Sequence, residues 1–206
     1  MPQLRDQDAR RRILTAVQEL VELKGPSQAT VSEIAQRAGV GRQTIYRWWR
    51  TRSLLAIEAL CDMTDKQIQF SDTGRFEADL YRQVERLADA FAGPIGALLK
   101  EIVADSLVDG EVAAAFRMAY FERRRDRARA TVQRGIDLGV IRPDADLDAV
   151  VYSIYGPIYL ALLVGHVPIT RQLAQQAVTT TIETQRPDDA TSPHPRTPNR
   201  LHRGSD

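Results

Sequence analysis

Apolar residues recur at helical spacing along almost the whole of this chain. Ile13, Leu14, Val17, Leu20 and Val21 mark a first stripe, which Gly25-Pro26 stops. A second, shorter stripe of Val31, Ile34, Ala35 and Ala38 ends at Gly39, and a third short segment runs from about Arg42 to Trp49. The spacing predicts further helices over about 52–70, 75–92, 95–107, 110–138, 146–165 and 169–185. Gly74, Gly93-Pro94, Gly110, Gly139, Pro143 and the run from Gly165 to Pro168 punctuate them. No window alternates with period two for long enough to suggest a sheet. The expected fold class is all-α, with about nine helices.

One helix departs from the usual one-sided pattern. Residues 147–164 are apolar on more than one face. One face suits the core of a monomer and another suits a partner subunit; an extended core helix in a monomer is the alternative. Its most apolar stretch, Ala149 to Val164, is shorter than a typical membrane span of ~20 residues and contains Ser153, Gly156 and Pro157, so it reads as a buried helix. Pro157 removes the amide that would bond the Ser153 carbonyl, and a kink is expected there. The last stretch, 186–206, holds four of the ten prolines and one large aliphatic residue, Leu201. Such a segment is expected to be a disordered tail.

Composition narrows the chemistry. A single Cys61 excludes an intramolecular disulfide framework, and the three histidines, His166, His194 and His202, make no metal centre. No cofactor is expected. The polar start, Met1 to Arg12, is not a secretory signal, so a cytoplasmic protein is expected.

The segment from Thr30 to Trp49 carries the chemistry. Thr30 with Glu33 makes a capping box, the helix that follows is short, and Gly39 stands where a left-handed residue closes it. Val40 is an apolar plug, Gly41 a candidate cap, and Ile45 and Trp49 share one face. Two short helices about a glycine turn, with an apolar inner seam, are the pattern of a helix-turn-helix. The outer face of its second helix carries Arg42, Gln43, Thr44, Tyr46, Arg47 and Trp48. Forked donors and amides read base edges, and hydroxyls grip phosphates. A polar outer face on a structural hairpin is the competing reading.

Net charge at first argues against a nucleic-acid partner, since 28 Lys+Arg face 27 Asp+Glu. The distribution reverses that inference. Residues 1–52 hold 10 basic and 5 acidic side chains, whereas residues 53–185 hold 14 and 19. A basic head on an acidic body is an electrostatic footprint for phosphate. Arg5, Arg10, Arg11 and Arg12 offer either a basic arm or a solvated helix start.

Residues 13–60 resemble the N-terminal domain of TetR-type (tetracycline-repressor-like) transcriptional regulators. The match runs through GPSQATVSEIAQRAGV and GRQTIYRWW to a basic Arg52 before SLLAIEAL. The resemblance implies that Thr30 caps the second helix and touches phosphate, and that Thr44 and Tyr46 grip the DNA backbone. It puts Arg42, Gln43 and Arg47 at base-reading positions, Trp49 in the core, and Arg52 on a phosphate. Gly41 departs from the commoner Ser, and Trp48 from the frequent His. Trp48 either packs on the DNA backbone or covers the domain surface.

The same resemblance implies a division into a DNA-binding head, 1–52, a ligand-binding and dimerisation body, 53–185, and the tail, 186–206. It implies a homodimer on palindromic double-stranded DNA, a small-molecule effector, no membrane partner, and most naturally a repressor. Candidate pocket residues are Met63, Phe70, Leu87, Phe91, Phe116, Arg117, Tyr120, Tyr155 and Tyr159, which suit an apolar or aromatic effector. Candidate dimer residues are Val151, Tyr155, Ile158, Tyr159, Leu162, Leu173 and Ala177. The arginine run Arg123, Arg124, Arg125, Arg127 and Arg129 reads as a solvated outer face, with an anionic-ligand site as the alternative. Two competing functions stay open: a helical ligand-binding or interaction protein without DNA-binding activity, and an enzyme on a helical scaffold. Against the enzyme, the chain lacks a glycine-rich phosphate loop, a Cys/His pair and an H-E-x-x-H motif.

Overall fold

Glycine, proline and short capping side chains decide where each helix of the computed structural model starts and stops. The structure describes residues 2–187, with side chains from Asp6 onward, so the expected tail lies outside the described residues except for Arg186 and Pro187. Helix α1 (Pro2–Lys24) buries Ile13, Ala16, Val17, Leu20 and Val21 and ends at Gly25, whose φ of 84° favours glycine. A 3-10 turn (Pro26–Gln28) leads to α2 (Val31–Ala38) and α3 (Arg42–Trp48). Because α1 begins at Pro2, Arg5, Arg10, Arg11 and Arg12 lie on a helix and form no extended arm.

Helix α4 (Arg52–Gln67) starts on Thr51, whose hydroxyl accepts the Leu54 amide at 3.2 Å. Helices α5 (Phe76–Phe91) and α6 (Pro94–Val108) meet at Gly93-Pro94. Helix α7 runs from 110 to 137 as two α segments, Gly110–Phe116 and Arg123–Asp137, joined by a π turn at Arg117–Glu122. Asp109 caps its start and Asp146 caps α8 (Leu147–Val164), which continues through Pro157 to the left-handed Gly165. Thr170 caps α9 (Arg171–Gln185). The described residues thus form nine helices and no strand.

The π turn has a physical reason. The inward residues of α7 are Val112, Phe116, Tyr120, Arg124, Ala128 and Val132, a strict four-residue repeat. Four residues overshoot a 3.6-residue turn by about 40°, so this stripe would wind off the core within a few turns. The wider π turn takes up the excess and keeps Tyr120 and Arg124 facing inward. That overturns one expectation: Arg124 is buried, 7% exposed, and does not belong to a solvated outer face.

One apolar cluster joins head and body. It runs from Ile13, Ile34, Ile45 and Trp49 through Leu55 and Leu60 of α4 to Leu80, Leu87, Leu99 and Ile154. Helix α7 approaches α5 closely at Gly135, where an added Cβ would lie 2.6 Å from Phe76 Cζ.

Helix α8 is the helix with two apolar faces. Val150, Val151, Ile154, Tyr155, Ile158, Ala161 and Leu162 face the protomer's own core. Four of the expected dimer residues, Val151, Tyr155, Ile158 and Leu162, are therefore corrected to intramolecular packing. Tyr159, Leu173 and Ala177 are half-buried. The exposed apolar side chains of α8 are Tyr152, Leu160, Leu163 and Val164.

Candidate nucleic-acid interface and effector cavity

The helix-turn-helix is built as its residues dictate. The Thr30 hydroxyl accepts the Glu33 amide at 3.3 Å, while the Glu33 carboxylate accepts the Thr30 amide at 3.1 Å and its hydroxyl proton at 2.7 Å. With Lys24 also bonded to it, the Glu33 carboxyl is held down at about 2. Gly39 adopts φ 64°, and the Val40 amide closes on the Ala35 carbonyl at 3.0 Å. Ile45 and Trp49 pack inward, and the Trp49 indole donates to Glu58 of α4 at 2.8 Å. That bond fixes where α3 ends relative to α4.

The opposite face of α3 is open. Arg42, Gln43, Tyr46, Arg47 and Trp48 are exposed and Thr44 is half-buried. Trp48 lies on the surface with two guanidiniums near its ring, Arg10 at 5.6 Å and Arg47 at 6.0 Å. Arg10 also pairs with Glu58 at 2.7 Å, and Arg47 with Asp6 at 2.7 Å. Such exposed pairs are weak and exchange readily for a phosphate.

Arg52 behaves differently from the expectation. Its guanidinium turns inward, donates to the Ala29 carbonyl at 3.1 Å and to the Pro26 carbonyl, and pairs with Glu101 of α6. The carbonyls that close the 3-10 turn need donors, and Arg52 supplies them. Its charge is spent on joining head to body rather than left for a phosphate.

The body contains a cleft of about 150 Å³, partly open to solvent. Of the expected pocket residues it is lined by Phe70, Leu87, Tyr155 and Tyr159. Phe91 backs Tyr159 edge-on at 5.0 Å, and Phe116 stacks on Tyr120 at 5.4 Å, so these three support the wall from behind. Met63 is buried elsewhere and Arg117 is exposed, which removes both from the cavity. Lining residues missed from sequence are Phe121, Arg124, Arg125, Ala128, Val151, Tyr152 and Gly156. The four-residue stripe ending in Val132 was the available signal for Arg124.

The polar groups of the cleft are arranged as donors. The Tyr155 hydroxyl donates to Gln83 at 2.9 Å, and the Tyr120 and Tyr159 hydroxyls meet at 3.4 Å. Burial pushes all three phenols up, so they stay protonated near neutral pH. Arg125 is held by Asp148 through two bonds of 2.9 and 2.6 Å, and its countercharge keeps the Asp148 carboxyl low. Cys61 is no activated nucleophile, because burial pushes its thiol up to about 11. Among the described residues no cluster of His, Cys, Asp and Glu is placed to hold a metal ion.

An exposed recognition face on a capped helix-turn-helix, fixed to a helical body with an apolar cleft, defines a ligand-linked DNA-binding regulator. The chain belongs to the tetR family of bacterial regulatory proteins: residues 13–59 match that family's N-terminal profile, and residues 70–181 match the profile described as "Tetracyclin repressor-like, C-terminal domain". It is 30% identical to the HTH-type transcriptional regulator YdeS of Bacillus subtilis (strain 168), over 78% of this chain and 81% of YdeS. It is 27% identical to the HTH-type transcriptional regulator AqdR of Rhodococcus erythropolis, over 85% of this chain and 84% of AqdR. The crystal structure of the TetR family transcription regulator SCO0332 superposes with a TM-score of 0.79 at 30% identity, covering 87% of this chain and all of that one.

Proposed function

We propose that this transcriptional regulator is a homodimeric repressor that leaves a palindromic operator when a small molecule enters the cleft of its body. The observation that carries the reading is the open face of α3 on a head with a net charge of +5. In this reading residues 1–52 bind DNA and residues 53–185 dimerise and bind the effector. Arg42, Gln43 and Arg47 read bases; Thr44, Tyr46 and Trp48 contact the backbone; Thr30 presents the start of α2 to a phosphate. Arg52 is left out, because its donors are engaged within the protomer. The protein works in the cytoplasm and catalyses no reaction.

Dimerisation is supported by α8. Tyr152, Leu160, Leu163 and Val164 are exposed on a helix whose other face is already buried, as expected of a surface a second copy covers. A single helix-turn-helix makes few base contacts, whereas two heads roughly 34–36 Å apart read adjacent major grooves. Selection of bound genomic fragments by the purified protein tests the reading. An inverted repeat with salt-sensitive binding is the expected result, and fragments with no shared sequence would overturn it. Leu163→Asp should yield monomers in sedimentation and abolish operator binding; a dimer that survives it would remove α8 from the interface.

A further inference from the structure

Four of the five arginines in the α7 run pair with a carboxylate, two guanidiniums to each of Asp65 and Asp148. Arg123 and Arg127 pair with Asp65 at 2.5 and 2.9 Å, and Arg125 and Arg129 pair with Asp148 at 2.6 and 2.5 Å. Arg124, the one that points inward, has no carboxylate within reach among the described residues. Its single hydrogen bond is a long one, 3.5 Å, to the Ile68 carbonyl at the end of α4. Its Nη1 is buried and donates to nothing. Two aromatic rings accompany the charge, Phe70 at 5.2 Å and Tyr120 at 5.9 Å.

Arg124 is 7% exposed, and a guanidinium is costly to bury without a countercharge. Two ring faces offset part of that cost and leave the fork without an acceptor. A second unpartnered donor belongs to the same neighbourhood: Gln83 accepts the hydroxyl of the cavity-lining Tyr155 while its amide Nε2 bonds to nothing. Among the described residues, the cleft and the layer behind it thus hold two buried donors without a partner, Arg124 Nη1 and Gln83 Nε2. Arg125 also lines the cleft, but Asp148, which it shares with Arg129, already holds that side chain.

We propose that the effector is a monoanion, a carboxylate on an apolar aromatic or alkyl body, whose carboxylate pairs with Arg124. The proposal rests on the reading of the cleft as the effector site. A planar fork matches a carboxylate in two parallel bonds, and Arg124 is the one guanidinium of the run that has no carboxylate partner among the described residues. Phe70, Leu87, Phe121, Tyr152 and Tyr155 supply the apolar walls for the body of the ligand.

The test is calorimetric titration of the full chain with matched probes: 1-naphthoate and decanoate, each beside its primary alcohol and its primary amine. At least one acid should bind about tenfold or more tightly than its alcohol, the amines should bind weakest, and Arg124→Met should erase the preference. The unliganded Arg124→Met protein should melt at the same temperature as the wild type or higher, since it removes an unpaired buried charge; a merely structural arginine would lower it. Arg124→Lys keeps a point charge and should retain part of the preference, which serves if the methionine variant does not fold. Alcohols or amines that match the acids, acids that fail to saturate, or a preference that survives Arg124→Met would overturn the proposal. Operator release is scored in parallel. Acids that bind through Arg124 but leave DNA bound overturn the effector reading alone, whereas release by alcohols overturns the anion inference alone.

Discussion

Replacing Arg52 by alanine should weaken the junction between head and body without changing how DNA affinity depends on salt. The guanidinium donates to the Ala29 and Pro26 carbonyls and pairs with Glu101, with side chains 32% and 24% exposed. Charged donors to carbonyl groups contribute ~1.5–3 kcal/mol each when buried and less when water reaches them. A partly exposed ion pair adds at most ~1 kcal/mol. A total of about 3 kcal/mol follows after discounting for exposure, which for a domain pair of this size lowers Tm by about 6–12 °C. Thermal melts of wild type, Arg52→Ala, Glu101→Ala and the double variant measure the junction, and the two single changes should be less than additive. Operator affinity measured across a salt series then separates the roles. A phosphate contact would reduce the salt slope by about one when removed. An unchanged slope with reduced Tm is expected; a reduced slope with unchanged Tm would refute the inward role of Arg52.

Three further outcomes follow from the same geometry. Arg47→Ala and Gln43→Ala should each cost ~1–3 kcal/mol and relax sequence preference in a selection of operator variants, while Asp6→Asn, which frees Arg47, should tighten binding a few-fold at low salt. The Glu33 carboxyl is lowered from 4.5 to about 2, so its contribution to stability is complete above pH 4.5 and is lost as pH falls toward 2; Glu33→Gln should flatten the pH dependence of Tm in that window and nowhere else. Gly135→Ala should destabilise the body by ~1–3 kcal/mol, because its Cβ would stand 2.6 Å from Phe76 and 2.8 Å from Ile141, and calorimetry should place the loss there without altering DNA binding of the folded protein.

The helix-turn-helix was legible because its signals are local. Thr30, Glu33 and Gly39 act on backbone groups three or four residues away, so spacing along the chain specifies their partners. Arg52 was misread because its partners, Pro26, Ala29 and Glu101, lie 26, 23 and 49 residues away, and a basic residue before a helix looks the same whether it turns outward or in. Arg124 was hidden among neighbouring arginines of identical hydropathy; only the four-residue repeat shared with Tyr120 and Ala128 sets it apart. For α8 the sequence revealed two apolar faces but not which one the protomer keeps. Val151, Ile158 and Leu162 went to its own core, and Tyr152, Leu160 and Leu163 stayed outside. That choice depends on where α5 and α9 dock, which no single helix encodes.

Helix α4 is a rod with a handle at each end. At its first turns Arg52 grips the turn before α2, and Glu58 holds both Trp49 and Arg10 of the head. Just past its last residue the Ile68 carbonyl faces Arg124 in the wall of the cleft. Sixteen residues of α-helix span about 24 Å, so a tilt of about 5° at one end carries the other by about 2 Å. Two ångströms is most of the length of a hydrogen bond, and a base contact displaced that far is broken. If α3 reads bases as proposed, a disturbance at the guanidinium small enough to pass for a side-chain adjustment is, at α3, the difference between a made and a missing base contact.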